Sequence, residues 1–177
     1  AYERSLMDTA ASFETTRTAL EGILSVRARR IDLERIRRIL DDRIRFAAGS
    51  DAEAGLLTLR AELLQQRLGQ SEAGRADLEA AVKLDNRHGK AQLALGLMAA
   101  EQGNSGAALT HFQRVLSADV SSFGADDVKR LVVGIREVLR RTHRLQEEVG
   151  YLAQVSEHFP EYSLGEIGLS GVGDHEE

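Results

Sequence analysis

An internal repeat of 34 residues constrains the fold of this chain more than any other feature of its sequence. The stretch GQSEAGRADLEAAVKLD, residues 69–85, aligns without gaps on GNSGAALTHFQRVLSAD, residues 103–119, and Gly69 then coincides with Gly103. A unit of this length holds two short helices and a turn, and repetition at this period is typical of helical-hairpin solenoids. We therefore predict an all-α fold in which helical hairpins stack against one another.

The composition agrees with a helical protein and excludes several other classes. Ala, Leu, Ile and Val supply most of the apolar residues, Trp is absent, and Pro occurs once, at Pro160. Because the chain has no Cys, it can form neither disulfides nor thiolate metal sites. The formal net charge of -5 argues against a nucleic-acid partner.

The hydrophobic segments of the chain are short compared with a membrane span. No apolar run approaches the roughly 20 residues that a membrane-spanning helix needs, so we predict no membrane insertion of this chain. The sequence begins at Ala1 rather than at Met, and it leaves the compartment open. A cytoplasmic location is compatible with it, as is a periplasmic one if an upstream signal or anchor has been removed.

Three regions follow from the hydrophobic pattern. We predict an N-terminal helical segment over residues 1–48, helical repeats over 49–162, and a flexible, acidic, Gly-rich tail over 163–177. In the first region two long helices with a break near residues 29–32 and a cap at Asp32 are favoured, and one continuous helix is the alternative. Within the repeats, helices are predicted at about 51–67, 71–84, 89–101, 105–118, 126–141 and 144–158.

The two aligned units also share a pattern of small and large residues. The second unit supplies Leu95, Gly96, Gly103, Ala108 and Phe112, and the first supplies Gly69, Gly74, Leu78 and Ala81. A degenerate third unit ends in Leu152, Val155 and Pro160. This pattern resembles the tetratricopeptide repeat family, with two clear repeats and one degenerate. The resemblance implies a right-handed superhelix of hairpins whose concave groove holds a protein or peptide partner.

The resemblance also implies which residues line the groove. In the first two units these are Leu59, Leu63, Gln66, Lys90, Leu93 and Leu97. In the third unit they are Arg130, Val133, Glu137 and Arg140. Members that clamp a C-terminal carboxylate carry Lys and Asn at such positions, and the leucines here argue against that activity.

A groove of exposed leucines requires a cover, because soluble proteins rarely leave such a patch in water. Two occupants remain open. One is the chain's own first helix, through Leu6, Phe13, Leu20 and Leu24, which would complete a core. The other is an amphipathic helix from a partner protein.

Two stretches of the chain are rich in arginine. The first, between Arg27 and Arg45, contains acidic residues at helical spacing, which favours a solvated and self-paired face. The second stretch contains a single acidic residue, Glu137, between its cations. It is therefore the candidate site for an acidic segment, either from a partner or from the chain's own tail. The alternative is that these cations are simply solvated. The cations of this stretch are Lys129, Arg130, Arg136, Arg140, Arg141 and Arg144, and the five arginines are the predicted binding residues.

The sequence contains no recognisable catalytic motif. It has no nucleophile elbow, no phosphate-binding loop and no zinc-binding pair of histidines. We predict that the chain is not an enzyme and that it uses no cofactor or metal. The expected function is a protein–protein interaction module or scaffold within a larger assembly. The alternative is a self-associating structural subunit, a homo-oligomer whose N-terminal helices drive oligomerisation.

Overall fold

The computed structural model describes residues 13–24, 30–50, 52–118, 121 and 123–162, and over these residues the chain is helical without β-strands. The all-α prediction is therefore confirmed. A 3-10 helix, Leu145–Glu147, comes directly before the last α-helix. The α-helices are α1 (Phe13–Leu24), α2 (Arg30–Ala47), α3 (Ala52–Gln66), α4 (Ser71–Leu84), α5 (Gly89–Glu101), α6 (Ser105–Val115), α7 (Ala125–Arg141) and α8 (Glu148–His158).

The bounds of the helices follow the sequence prediction closely, with three differences. Helix α6 ends at Val115, three residues earlier than predicted. The helix predicted over 144–158 is divided into the 3-10 turn and α8. Asp32 is not a cap, because it lies in the first turn of α2, where its carboxylate complements the positive end of the helix dipole.

Some predictions fall outside the described residues. These are the predicted contact of Leu6, the tail over 163–177, and the part of the predicted helix break that falls at residue 29. The side chains of Phe13, Leu20 and Leu24 also lie outside the described part of α1.

The described residues form two compact units, and the boundary between them falls between Ala91 and Gln92, inside α5. Each unit has a hydrophobic core of its own. In the first unit, α3 is the central helix, since it packs against α1, α2 and α4. Its residues are apolar around most of the helix, which is the pattern of a helix enclosed by others. Its buried residues include Ala54, Leu56, Leu57, Leu59, Ala61, Leu63 and Leu64.

Arg60 connects three helices of the first unit. From α3 it donates hydrogen bonds to the Asp77 carboxylate of α4 at 2.6 and 2.7 Å and to Asp41 of α2 at 2.8 Å. These bonds, those to Asp77 first, raise the pKa of Arg60 above its usual value. Because Asp77 is buried, it requires this cation, and removing Arg60 would leave a carboxylate without its charge partner.

The turn glycines behave as the repeat predicts. Gly69 and Gly103 adopt φ values of 66° and 76°, in the left-handed region that favours glycine. After α5, Gly103 N–H donates to Ala100 O at 3.0 Å and Asn104 N–H to Ala99 O at 2.8 Å. The side chain of Asn104 then accepts a hydrogen bond from Ala107 N–H, which caps α6. One helix therefore ends and the next begins within three residues.

In the second unit the ring of Phe112 fills the space between three helices. It projects from α6 and is completely buried. A Cβ atom built on Gly96 of α5 would lie 2.6 Å from its Cε1 atom, and one built on Gly134 of α7 would lie 2.8 Å from its Cζ atom. Both distances are shorter than carbon atoms tolerate, so the ring occupies the space that two absent side chains leave.

We predict that Gly96→Ala destabilises the protein by about 1–3 kcal/mol, because the new methyl group overlaps a buried ring that cannot move away. The matched control is Gly106→Ala in the first turn of α6, where a Cβ atom meets nothing within 4 Å. That change should be neutral or stabilising, by up to about 1 kcal/mol, because alanine favours the helix. Urea unfolding of both variants measures the difference, and equal stabilities would contradict the packing described here.

Candidate protein-binding surface

Four of the predicted groove residues lie in the first compact unit, and they divide into buried and accessible side chains. Leu59 and Leu63 are only 5% and 0% exposed, whereas Gln66 is exposed and Lys90 is half-buried. The two leucines belong to the core of the unit, which also contains Ala19 of α1 and three residues of α2. Those three residues are Leu33, Ile36 and Leu40.

The cover for Leu59 and Leu63 therefore comes from the chain itself. The described, buried N-terminal residues that pack with these leucines are Ala19 of α1 and the three residues of α2, whereas the side chains through which the first helix is predicted to act lie outside the described residues. The surface is closed there because these side chains complete a core. In this structure neither leucine is accessible to a partner.

Leu93 and Leu97, the other groove residues predicted from the first two repeats, lie in the second compact unit. Leu93 is 2% exposed and lies in the core, and Leu97 is partly buried against that core. The Cδ2 atom of Leu97 lies 3.0 Å from the position that a Cβ atom on Gly134 would occupy. Leu97 therefore packs beside Phe112 against the same glycine of α7, and both leucines serve the core of the second unit.

Helix α7 carries the second arginine-rich stretch except Arg144, which follows the helix, and α7 is strongly amphipathic. Its start is held by Asp127, whose carboxylate accepts a hydrogen bond from Gly124 N–H at 3.1 Å. Six large apolar residues face the core of the second unit, so the charged residues are left on the outer face of the helix. The buried residues are Val128, Leu131, Val132, Ile135, Val138 and Leu139.

Two of the predicted arginines pair with glutamates at the start of the last helical segment. Arg136 donates its Nε–H to the carboxylate of Glu148, and the pair is mostly buried, with side chains 19% and 15% exposed. Arg144 forms two hydrogen bonds with Glu147, at 2.6 and 2.7 Å. These bonds raise the pKa of Arg144 and lower the pKa of Glu147, so both groups keep their charges.

Arg141 holds the end of another helix. Its Nη1 donates a hydrogen bond of 2.6 Å to the carbonyl oxygen of Ala100, and its Nη2 bonds Glu137. Ala100 lies in the last turn of α5, and its carbonyl oxygen accepts from Arg141 in addition to the Gly103 N–H of the following turn. A cation there also complements the negative end of the helix dipole. Arg141 therefore has a structural role.

The other cations on α7 are more accessible. Arg130 lies 4.0 Å from Asp127, and its side chain is half exposed. Lys129 and Arg140 are exposed, and neither forms an ion pair within the described residues. Val133 lies between them in sequence and is 46% exposed.

Lys129, Val133, Arg136 and Arg140 share one face of α7, because positions 129, 133, 136 and 140 repeat at helical spacing. We call this set, Lys129, Val133, Arg136 and Arg140, the α7 stripe. A cavity of about 510 Å³ lies against the stripe, and its described lining is Val133, Arg136, Glu137, Arg140 and Arg141.

The sequence indicates one patch of five arginines and does not reveal how they divide. The partner of Arg136 is twelve residues away and the partner of Arg141 is a backbone carbonyl, so neither pair has a local sequence signal. That Lys129 and Val133 share a face with Arg136 and Arg140 is recognisable only from their spacing.

The described part of the first arginine-rich stretch contains local ion pairs, although mostly at i, i+3 rather than i, i+4 spacing. Arg37 bonds both Glu34 and Asp41 at 2.9 Å, and Arg45 pairs with Asp42. Asp41 also binds Arg60, so part of this face belongs to the framework of the first unit.

Among the described helices, none has both the length and the apolar character that a bilayer crossing requires. Within the same residues there is no group of three or more His, Asp or Glu side chains placed to hold a metal ion. Comparisons of the chain with protein-family models, with curated proteins and with solved structures find no match. The tetratricopeptide resemblance consequently stays a prediction.

We predict that Arg141→Met lowers the free energy of unfolding by about 1–2 kcal/mol, because it leaves the Ala100 carbonyl without its charged donor. Arg140→Met is the control, since it removes the same charge from the next position of the same helix. It should change stability by no more than about 0.5 kcal/mol. Urea unfolding followed by circular dichroism checks both, and losses of equal size would show that the two arginines are not distinguished as described.

Proposed function

We propose that this chain is a non-enzymatic interaction module that binds an acidic segment of a partner protein along the α7 stripe. The observation that supports this proposal is the pair of exposed cations, Lys129 and Arg140, without ion-pair partners among the described residues. They flank the partly exposed Val133 on one helix face. A segment with carboxylates on both sides of an apolar residue complements this arrangement.

The α7 stripe is well suited to binding because one of its own residues and a neighbouring arginine are already held in place. Arg136 is fixed by Glu148, and Arg141, next to the stripe, is fixed by Glu137 and the end of α5. A partner would therefore order only a few side chains on binding, which lowers the entropic cost of association. The exposed cations would contribute chiefly to the rate and specificity of association, since exposed ion pairs add little affinity.

The helical hairpins fit the same role. Short glycine turns and small residues at the contacts between helices are what the tetratricopeptide resemblance implies, and arrays of this kind commonly serve as scaffolds. The assignment to a hairpin solenoid is part of the proposal. Self-association through the N-terminal helices remains a prediction of the sequence, because residues 1–12 and 25–29 lie outside the described residues.

We expect the double variant Lys129→Glu/Arg140→Glu to lose its partner, because each substitution replaces attraction to an acidic segment with repulsion. The matched control, Lys83→Glu/Arg87→Glu, makes the same change of charge at two exposed residues of the first unit. Wild-type chain and both variants serve as baits in quantitative affinity capture from the source cells, with the fold of each verified by circular dichroism.

A partner retained by the control and depleted at least about tenfold with the α7 variant is the expected result, equivalent to about 1.4 kcal/mol of binding free energy. The captured protein should bind through an acidic stretch. If all three baits retain the same proteins in equal amounts, the α7 stripe is not the binding surface.

A further inference from the structure

The cavity beside the α7 stripe has a lining rich in guanidinium groups. Its volume is about 510 Å³, and three of its five described lining residues are arginines, Arg136, Arg140 and Arg141. The other two are Val133 and Glu137. A cavity of this size lies within the usual range of ligand pockets. The charged groups of the lining therefore determine which ligand chemistry the cavity accepts.

The carboxylate of this described lining is already neutralised. Glu137 accepts a hydrogen bond from Nη2 of Arg141, whose Nη1 donates to the carbonyl oxygen of Ala100. The pair of Glu137 and Arg141 thus adds no net charge to the cavity, and both terminal amino groups of Arg141 are in use. Arg136 and Arg140 are the lining cations that remain to act on a ligand.

Arg136 is held in place without using all of its donors. Its Nε–H donates to Glu148, and its side chain is 19% exposed. Its two terminal amino groups form no hydrogen bond within the described residues. Among those residues, the buried side-chain polar atom without a partner is Nε2 of His158. The amino groups of Arg136 are therefore reached by solvent, and a ligand in the cavity that Arg136 lines can accept hydrogen bonds from them.

Arg140 supplies a second guanidinium group to the same cavity. It follows Arg136 by four residues, so the two side chains leave the same face of α7 about 5–6 Å apart. Arg140 is exposed, and its side chain forms no hydrogen bond or ion pair within the described part of the chain. One anion in the cavity can therefore accept N–H groups from both residues.

Two guanidinium groups at one cavity match a phosphoryl group better than a carboxylate. A carboxylate has two oxygens and one charge, and a single arginine satisfies it in a bidentate pair. A phosphorylated side chain has three acceptor oxygens and a charge of about −1.5 to −2, so it can accept hydrogen bonds from two arginines at once. Arginine clusters recognise phosphorylated segments in other folds for this reason.

We propose that the cavity lined by Val133, Arg136 and Arg140 binds a phosphorylated serine of the partner protein. Arg136, fixed by Glu148, and Arg140 donate hydrogen bonds to the phosphoryl oxygens. Val133 contacts an apolar side chain of the same partner segment. This inference rests on the proposed function, because it specifies the chemistry of the acidic segment that binds the α7 stripe.

The position of Lys129 predicts a second feature of the partner segment. Lys129 precedes Arg136 by seven residues and Arg140 by eleven, which corresponds to about 10–17 Å along the helix. An extended segment covers that distance in about three to five residues. An acidic residue should therefore lie about four positions from the phosphorylated serine, with an apolar residue for Val133 between them.

The first test is fluorescence anisotropy of the full chain with labelled peptides that differ at one position. Their common sequence is Gly-Asp-Gly-Leu-Gly-X-Gly, in which X is phosphoserine, glutamate or serine, and each peptide is made in the forward and the reversed order. In one of the two orders, the phosphoserine peptide should bind about tenfold more tightly than the glutamate peptide. The serine peptide should bind most weakly of the three.

Substitutions at the two ends of the α7 stripe distinguish a phosphoryl site from general attraction between charges. Arg140→Lys keeps the charge and removes a bidentate donor, so the preference for phosphoserine over glutamate should fall from about tenfold to about threefold or less. Lys129→Gln is the control, because it should weaken both peptides alike and leave the preference unchanged. Equal loss of the preference in the two variants would show that Arg140 does not bind the phosphoryl group.

The second test removes the phosphoryl group from the partner itself. Extract of the source cells is treated with a broad-specificity phosphatase before capture on the wild-type chain, and extract treated with the same phosphatase and its inhibitors is the control. Dephosphorylation should deplete the partner that depends on Lys129 and Arg140 at least about tenfold, as the charge reversal on α7 does.

The outcomes separate this inference from the proposed function. The phosphoryl site is refuted if phosphoserine and glutamate peptides bind equally, if the phosphoserine peptide binds in neither order, or if the partner is fully retained after dephosphorylation. None of these results removes the α7 stripe as a surface for an unmodified acidic segment. The proposed function fails separately, when the captured proteins are the same for the wild-type chain and for the charge reversal on α7.

Discussion

The packing of Phe112 against two glycines is the interaction on which the second unit depends. The ring from α6 lies against Gly96 and Gly134 at distances that exclude any side chain at either position. Three helices are thereby brought together around one large apolar group, and Gly74 shows the same close approach in the first unit, where a Cβ atom would lie 3.0 Å from Ala61 O. Close contact at small residues is a common means of joining helices in such folds.

This packing determines which side of α7 reaches solvent. Once Gly134 faces Phe112, the apolar residues on the same side are buried, and the cations necessarily lie on the opposite side. Arg136 and Arg141 then reach neighbouring segments of the unit and become part of its framework. Lys129 and Arg140 have no such neighbour among the described residues, which is why these two cations carry the proposed function.

The sequence predicts this fold well where the signal is local or periodic. Helix bounds and turn glycines follow from the 34-residue repeat and from hydrophobic spacing, and the repeat pattern also includes Gly96 and Phe112. Gly134 carries no such signal, because its contact depends on how α7 packs, and the division of the arginines depends on Glu148 and on a backbone carbonyl of α5. The repeat pattern likewise places Leu59 and Leu63 in a groove without revealing that α2 covers them.

The most direct test of this packing is a nuclear Overhauser measurement on the full chain, with assignments for Phe112, Gly96 and Gly134. A proton on each glycine points to where a Cβ atom would be, so strong cross-peaks are expected between the ring protons of Phe112 and the α-protons of both glycines. If the ring shows cross-peaks to other core residues and to neither glycine, α7 is not packed as described and the α7 stripe has no structural basis.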